Sequence, residues 1–181
     1  MRNLIVTICL YFLISLHSQA QESHPKTQKE LLNHVVGGTW ISTNEQNEGK
    51  PEDYKSFYMS FENWSDDASV TGSISGIKNR GDTVQLIEIW NFLNEAEDNI
   101  FYVHRTTWGW YSLGAIKPYL SKHLDIQFKT RTPDGQEFYT RDLHYLDTKD
   151  SMSVITYHRL TQDDEWEEVS TSTWTRKLNK L

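Results

Sequence analysis

Short segments of alternating polar and apolar residues, separated by turn sequences, run from Thr39 to the C-terminal part of the chain. In the second segment, for example, Phe57, Met59 and Phe61 all fall on one face. Alternation with a period of two is typical of β-strands that bury one face. About nine such segments follow one another, without the intervening helical pattern of a βαβ unit. The sequence therefore predicts an all-β, antiparallel protein.

Turn signals separate the predicted strands. Pro133-Asp134-Gly135 is strong turn chemistry and predicts a hairpin between two of them. Residues 109–122 are less regular, and Pro118 argues against a strand there. The predicted strands cover residues 39–43, 54–64, 69–77, 83–93, 100–108, 123–131, 137–146, 151–160 and 165–177. We expect them to close into an up-and-down barrel of about 8–10 strands.

A short helix is predicted just before the first strand. Thr27 and Glu30 have the spacing of a capping box, and apolar residues follow at helical spacing until Gly37. An amphipathic helix of this length suits a position across one end of the barrel.

The N-terminal 20 residues have the pattern of a secretory signal peptide. A positive charge at Arg2 precedes a short apolar run, and Ser18-Gln19-Ala20 provides the small residues of a cleavage site. We expect cleavage after Ala20, a single domain over residues 21–181, and a secreted or periplasmic location. The one cysteine, Cys9, lies within the leader, which excludes disulfides and thiol chemistry from the rest of the chain.

Charge and motif content narrow the function classes. The formal net charge of −7 disfavours nucleic acid and anionic lipid as partners, because both need a basic surface. The apolar run in the leader is shorter than a membrane-spanning helix requires. The chain contains no nucleophile elbow, zinc-protease motif, phosphate loop or dinucleotide fingerprint. These absences favour a protein without catalytic activity and without a cofactor.

Two short motifs at the ends of the predicted barrel carry a family resemblance. Gly38-Thr39-Trp40 opens the first strand, and Trp174-Thr175-Arg176 closes the last. The arrangement resembles lipocalin-like (calycin) secreted β-barrel proteins of unknown function. The resemblance implies that an Arg guanidinium stacks on the Trp40 indole and plugs one end of the barrel. Arg176 would be that residue, with Lys177 as the alternative cation, and the role would be structural.

Glu88 and Arg105 are the first candidates for a site inside the barrel. Glu88 shares a face with Val84, Leu86 and Trp90, and Arg105 shares the parity of neighbouring apolar residues on the next strand. If those faces point inward, the two charges form a polar ligand anchor or an acid with a raised pKa. The alternatives are a satisfied ion pair or side chains at an open rim.

An aromatic segment follows the fifth predicted strand. Trp108, Trp110 and Tyr111 surround Gly109, and further apolar residues follow. At a barrel mouth such a segment forms either a lid over an apolar ligand or a plug of its own side chains. We predict that these three residues, with Glu88, Trp90 and Arg105, contact the ligand.

Three histidines on predicted strands raise the question of a metal or haem site. His104, His144 and His158 would have to converge, as zinc or haem ligation requires. No two of them have a close ligand spacing, and His104 has the opposite parity from Phe101. We therefore predict no metal site.

These observations together predict a small-molecule-binding barrel. Its ligand would be apolar or amphipathic, and the protein would be a monomer or a weak homodimer. One alternative is an enzyme that uses Glu88 and Arg105 for acid–base chemistry. The other is an envelope scaffold or interaction protein with a packed barrel.

Overall fold

Ten β-strands make up the computed structural model, which describes residues 30, 34, 38–44, 46–63, 69–94, 96, 99–119 and 123–177. The strands are β1 (Thr39–Thr43), β2 (Tyr54–Asn63), β3 (Ser69–Lys78), β4 (Thr83–Asn94), β5 (Asn99–Thr106), β6 (Tyr111–Tyr119), β7 (His123–Arg131), β8 (Glu137–Thr148), β9 (Ser151–Arg159) and β10 (Glu167–Lys177). Within the described residues, no helix has the length and apolar character that crossing a membrane requires.

Each strand pairs with the next in antiparallel fashion, and β10 returns to pair with β1. The predicted closed up-and-down barrel is therefore confirmed. The predicted leader lies outside the described residues. So does the predicted N-terminal helix, apart from Glu30 and His34.

One predicted irregular segment is a regular strand. β6 pairs with β5 and β7 along most of its length, and Pro118 itself lies opposite Leu124 of β7. Pro118 is one residue from the end of the strand, so its missing N–H interrupts the ladder only where the ladder ends. The prediction that residues 109–122 are irregular was therefore wrong for Tyr111–Tyr119.

The hairpin turns follow the sequence signals closely. Between β7 and β8, the Thr132 N–H donates to the Gln136 carbonyl at 2.9 Å, and Gly135 has a φ of 86°. An L-residue with a side chain rarely adopts this φ, so glycine suits the turn. The predicted Pro133-Asp134-Gly135 turn is thus confirmed.

Trp40 of β1 is packed beneath Arg176 of β10. Its side chain is fully buried, and the Arg176 guanidinium carbon lies 4.5 Å from the centroid of its ring. Gly38 allows this close approach, because a Cβ at that position would lie 3.1 Å from Arg176 Cγ. Two guanidinium nitrogens of Arg176, Nε and Nη2, are buried without a hydrogen-bond partner. Stacking on the indole is therefore the main contact that holds the cation in place.

Removing this stacked cation should destabilise the barrel, and removing its neighbour should not. We expect Arg176→Ala to lower the free energy of unfolding by about 2 kcal/mol, because a desolvated cation–π contact and the packing of the side-chain stem are lost. Lys177→Ala is the matched control, since Lys177 is exposed, and should change stability by less than about 0.5 kcal/mol. Urea unfolding measures both, and equal losses would contradict a special role for Arg176.

Candidate functional site

An internal cavity of about 200 Å³ lies between the strands of the barrel. Its wall is mostly apolar, because the inward faces of β2 to β7, β9 and β10 each contribute aliphatic or aromatic side chains. The lining residues are Met59, Phe61, Ile74, Ile89, Asn91, Ile100, Tyr102, Ile116, Leu124, Ile126, Asp142, His144, Met152, Val154, Thr156, Ser172 and Trp174. An apolar wall with a few polar groups is typical of small-molecule sites.

Asp142 is the acid of this cavity. It lies on β8, opposite Ile126 of β7 and Thr156 of β9. Burial raises the pKa of Asp142 to about 6 from its ordinary 3.8, and a hydrogen bond from Thr156 partly opposes that rise. Asp142 Oδ1 is buried and has no hydrogen-bond partner. A buried acceptor without a partner is costly to the free protein, so it is suited to meet a donor on a ligand.

Asn91 presents a second acceptor. It lies on β4, opposite Tyr102 of β5, and its side chain is buried. Asn91 Oδ1 also has no hydrogen-bond partner. Most buried polar atoms in native proteins are paired, so two unpaired acceptors that line the same cavity require an explanation.

His144 lies two residues beyond Asp142 on the same face of β8. Burial lowers its pKa to about 4, so the imidazole is neutral at neutral pH. Burial, with the nearby charge of Asp142, raises the pKa of Tyr102, whose hydroxyl therefore stays protonated. Neither side chain supplies a positive charge to balance Asp142.

A hydrogen-bonded chain of buried side chains continues from Tyr102 away from the cavity. The Tyr102 hydroxyl lies 3.0 Å from His104 Nδ1, and His104 Nε2 lies 2.8 Å from Ser112 Oγ. Ser112 Oγ in turn lies 2.7 Å from Thr130 Oγ1. Burial lowers the pKa of His104 to about 4, so the chain is uncharged. A satisfied polar network of this kind orients the Tyr102 hydroxyl and rigidifies the wall.

Glu88 and Arg105 form an ion pair whose side chains are exposed, so the inward-facing arrangement considered from the sequence is not found. Arg105 Nη2 lies 2.9 Å from Glu88 Oε2, and the two side chains are 65% and 36% exposed. The neighbouring residues Ile89 and Asn91 line the cavity instead. The sequence does not determine the orientation of Glu88 and Arg105, because β4 and β5 carry apolar residues on both faces. Alternate side chains must point to opposite faces of each strand, but the sequence does not show which face is buried. The pair sits on the outer surface of the barrel.

The aromatic residues predicted to contact a ligand also lie away from the cavity. Trp90 borders an outer groove, and Trp108 and Tyr111 are 48% and 44% exposed. Trp110 is half-buried in the turn between β5 and β6, where its ring stacks edge-on against Trp108 and Phe138. In that turn the backbone N–H of Trp110 donates to Thr106 Oγ1 at 3.0 Å. The segment thus packs on its own side chains at the end of the barrel opposite Trp40.

The three histidines lie in different surroundings. His104 is held in the buried chain, and His144 lines the cavity. His158 packs against Phe138 at a ring-centroid distance of 5.3 Å. In the described part of the chain, no group of three or more metal-ligating side chains comes together.

A groove between β1 and β10 adjoins the cavity. The two strands pair only where Thr39, Trp40 and Ile41 lie opposite β10, and they separate beyond that point. The resulting groove has a volume of about 600 Å³ and is lined largely by Ser and Thr side chains. Ser172 and Trp174 line both the groove and the cavity.

The cavity acid was missed at the sequence level for a physical reason. Asp142 follows Arg141, and two adjacent charges ordinarily indicate a solvated turn or surface. Arg141 in fact points outward and binds the Asp125 carboxylate at 2.7 Å, whereas Asp142 points inward. The available signal was parity, because Asp142 and His144 share a face with the apolar Phe138 and Leu146.

Comparison with known proteins does not assign a function. No protein-family model matches the sequence, and no curated protein is significantly similar to it. The closed antiparallel barrel is consistent with the lipocalin-like fold that the Gly38-Thr39-Trp40 pattern resembles. Function is therefore inferred from the cavity and its polar groups.

Proposed function

We propose that the protein is an exported barrel that binds a small apolar or amphipathic molecule without catalysis. The observation that carries this proposal is the apolar cavity with two unpaired buried acceptors, Asp142 Oδ1 and Asn91 Oδ1. Buried polar atoms without partners are costly to a barrel that serves only as a scaffold, and Asp142 and Asn91 both line the cavity, where a ligand can supply the missing partner. Export is supported by the leader pattern that ends at Ala20.

Cavity size limits the ligand. An apolar cavity of about 150 Å³ accommodates benzene, so about 200 Å³ suits a single ring with a short substituent. Long-chain fatty acids and retinoids are too large for a cavity of about 200 Å³. Ligands with about eight non-hydrogen atoms bind with dissociation constants of about 0.1–1 mM when the fit is good.

A fluorescence screen tests the proposal directly. Trp174 lies on the cavity wall, so single-ring compounds that enter should change tryptophan emission with saturation. We expect at least one such compound to bind at submillimolar to millimolar concentration. A screen without any saturable response would contradict the proposal.

Filling the cavity should abolish that binding. Ile89 is buried and lines the cavity, so Ile89→Phe places additional ring atoms in the space that the ligand occupies. We expect calorimetric affinity for a hit compound to fall by at least about tenfold. Leu113→Phe is the control, because Leu113 is exposed on the outer surface, and it should leave affinity unchanged. An unchanged affinity in Ile89→Phe would place the binding site elsewhere.

The enzyme alternative lacks the interior acid–base pair on which it depended. Acid–base chemistry by Glu88 and Arg105 required both side chains to face one solvent-connected cavity of the barrel interior, and both point outward. The interaction-protein alternative has one favourable observation, which is that Phe101 and Leu113 are 43% and 48% exposed on adjacent strands β5 and β6. Exposed apolar side chains next to each other on one wall are typical of contact surfaces.

A further inference from the structure

The polar groups of the cavity differ in whether the protein already satisfies them. The Tyr102 hydroxyl has His104 as its partner, and the Trp174 indole N–H donates to Ser172 Oγ at 3.0 Å. Asp142 Oδ1 and Asn91 Oδ1 have none. The two unsatisfied atoms are acceptors, so a complementary ligand brings donors.

The charged side chains at the cavity restrict the class of ligand further. Among the described residues that line the cavity, Asp142 is the one acid, and none is Lys or Arg. The nearest basic residue in the chain, Arg141, points outward and makes a two-pronged contact with Asp125, with both distances under 3 Å. Among the lining residues that the structure describes, the Asp142 carboxylate therefore has no cation beside it. Above the pKa of about 6, this is an uncompensated negative charge in apolar surroundings.

We propose that the cavity binds a primary amine with a small apolar body, whose ammonium group pairs with the Asp142 carboxylate. The inference rests on the proposed function, because it names the class of molecule that the same cavity takes. The ammonium donates to Asp142 Oδ1, and the apolar body packs against the aliphatic wall that includes Ile74, Ile89 and Met152. An ammonium both satisfies the unpaired acceptor and neutralises the charge, which an alcohol of the same size cannot do.

Three probes with one ring size separate charge from shape. Benzylamine, benzyl alcohol and benzoate differ in the charge of one substituent, and all are of a size suited to the cavity. We expect calorimetry at pH 7.5 to show benzylamine binding at least tenfold more tightly than benzyl alcohol, since a hydrogen bond to a charged group adds about that factor or more. Benzoate should bind least.

Variants assign the preference to Asp142. Asp142→Asn keeps the shape and the acceptor oxygen but removes the charge, so benzylamine affinity should fall at least tenfold while benzyl alcohol affinity changes less than about threefold. Glu88→Gln removes an outer acid and is the matched control, so it should change neither affinity.

Each result bears on a different claim. Equal binding of benzylamine and benzyl alcohol would overturn the amine inference and leave the small-molecule function in place. A preference for benzoate would overturn the inference as well. Failure of all three probes, together with an empty single-ring screen, would overturn the proposed function itself.

Discussion

Replacing Gly114 with Ala should destabilise the barrel by about 3 kcal/mol or more. Gly114 lies on β6, on the face that points into the barrel, directly opposite Phe128 of β7. A Cβ at this position would lie 2.0 Å from the Gln127 carbonyl oxygen and 2.6 Å from Phe128 Cα. Both atoms belong to the backbone, so relief requires β6 and β7 to move apart and lose ladder hydrogen bonds. Thermal unfolding should show a Tm lower by about 10 °C.

The same substitution at Gly76 is the control. There the Cβ would meet ring atoms of Tyr54, the nearest at 2.4 Å, and no backbone atom is among the three closest. Tyr54 is half-buried at the start of β2 and can turn aside. We expect Gly76→Ala to cost about 1 kcal/mol. Equal losses at the two positions would mean that the barrel wall yields as easily as a side chain, which would contradict the explanation.

Predicting the strands required only local information. The alternation of polar and apolar residues and the turn sequences can both be recognised from residues that are close together in the chain. Nine of the ten strands accordingly overlap their predicted ranges. β6 was missed because Pro118 was judged without knowing that it stands near the end of the strand. The closure of β10 on β1 was expected from the number of strands and from the Trp40 and Arg176 motifs.

The candidate site was harder to predict because it depends on which face of each strand is buried. On β4, Trp90 is as apolar as Ile89, so local hydrophobicity does not distinguish the two faces. Ring closure and the register between strands decide the matter, and both are long-range properties. The sequence pattern therefore favoured Glu88 as the acid of the site, whereas the cavity holds Asp142.

Substituting Asp142 with Asn should stabilise the free protein at pH 8 by about 2 kcal/mol. The pKa of Asp142 is about 6 in the folded state and near 3.8 in the unfolded chain, so above pH 6 folding buries a charge that the unfolded chain keeps in water. The folded state binds the proton more tightly between these pH values, and the free energy of unfolding therefore falls as pH rises from about 4 to about 6. Below pH 4 both states are protonated, and the Asp142→Asn variant should match the wild type.

Comparing the two proteins at each pH isolates this effect. His104 and His144, with pKa values of about 4 in the folded state, also make stability depend on pH, in the opposite direction, because the unfolded chain takes up protons as pH falls below 6.5. Both proteins contain these histidines, so the difference between their urea-unfolding curves cancels the contribution. Asp125→Asn is the control acid, since it breaks an outer pair with Arg141 and should destabilise or leave stability unchanged.

A gain in stability on removing Asp142 would have a functional meaning. A buried charge without a partner destabilises the fold, so it is retained only when a function depends on it. Residues of binding sites commonly make a protein less stable than other residues at the same positions would. We therefore expect Asp142→Asn to raise the stability of the free protein at pH 8 while it weakens amine binding, two effects of opposite sign from one atom. If Asp142→Asn destabilised the protein at every pH, the carboxylate would be a structural partner within the barrel, and the case for a cationic ligand would fail.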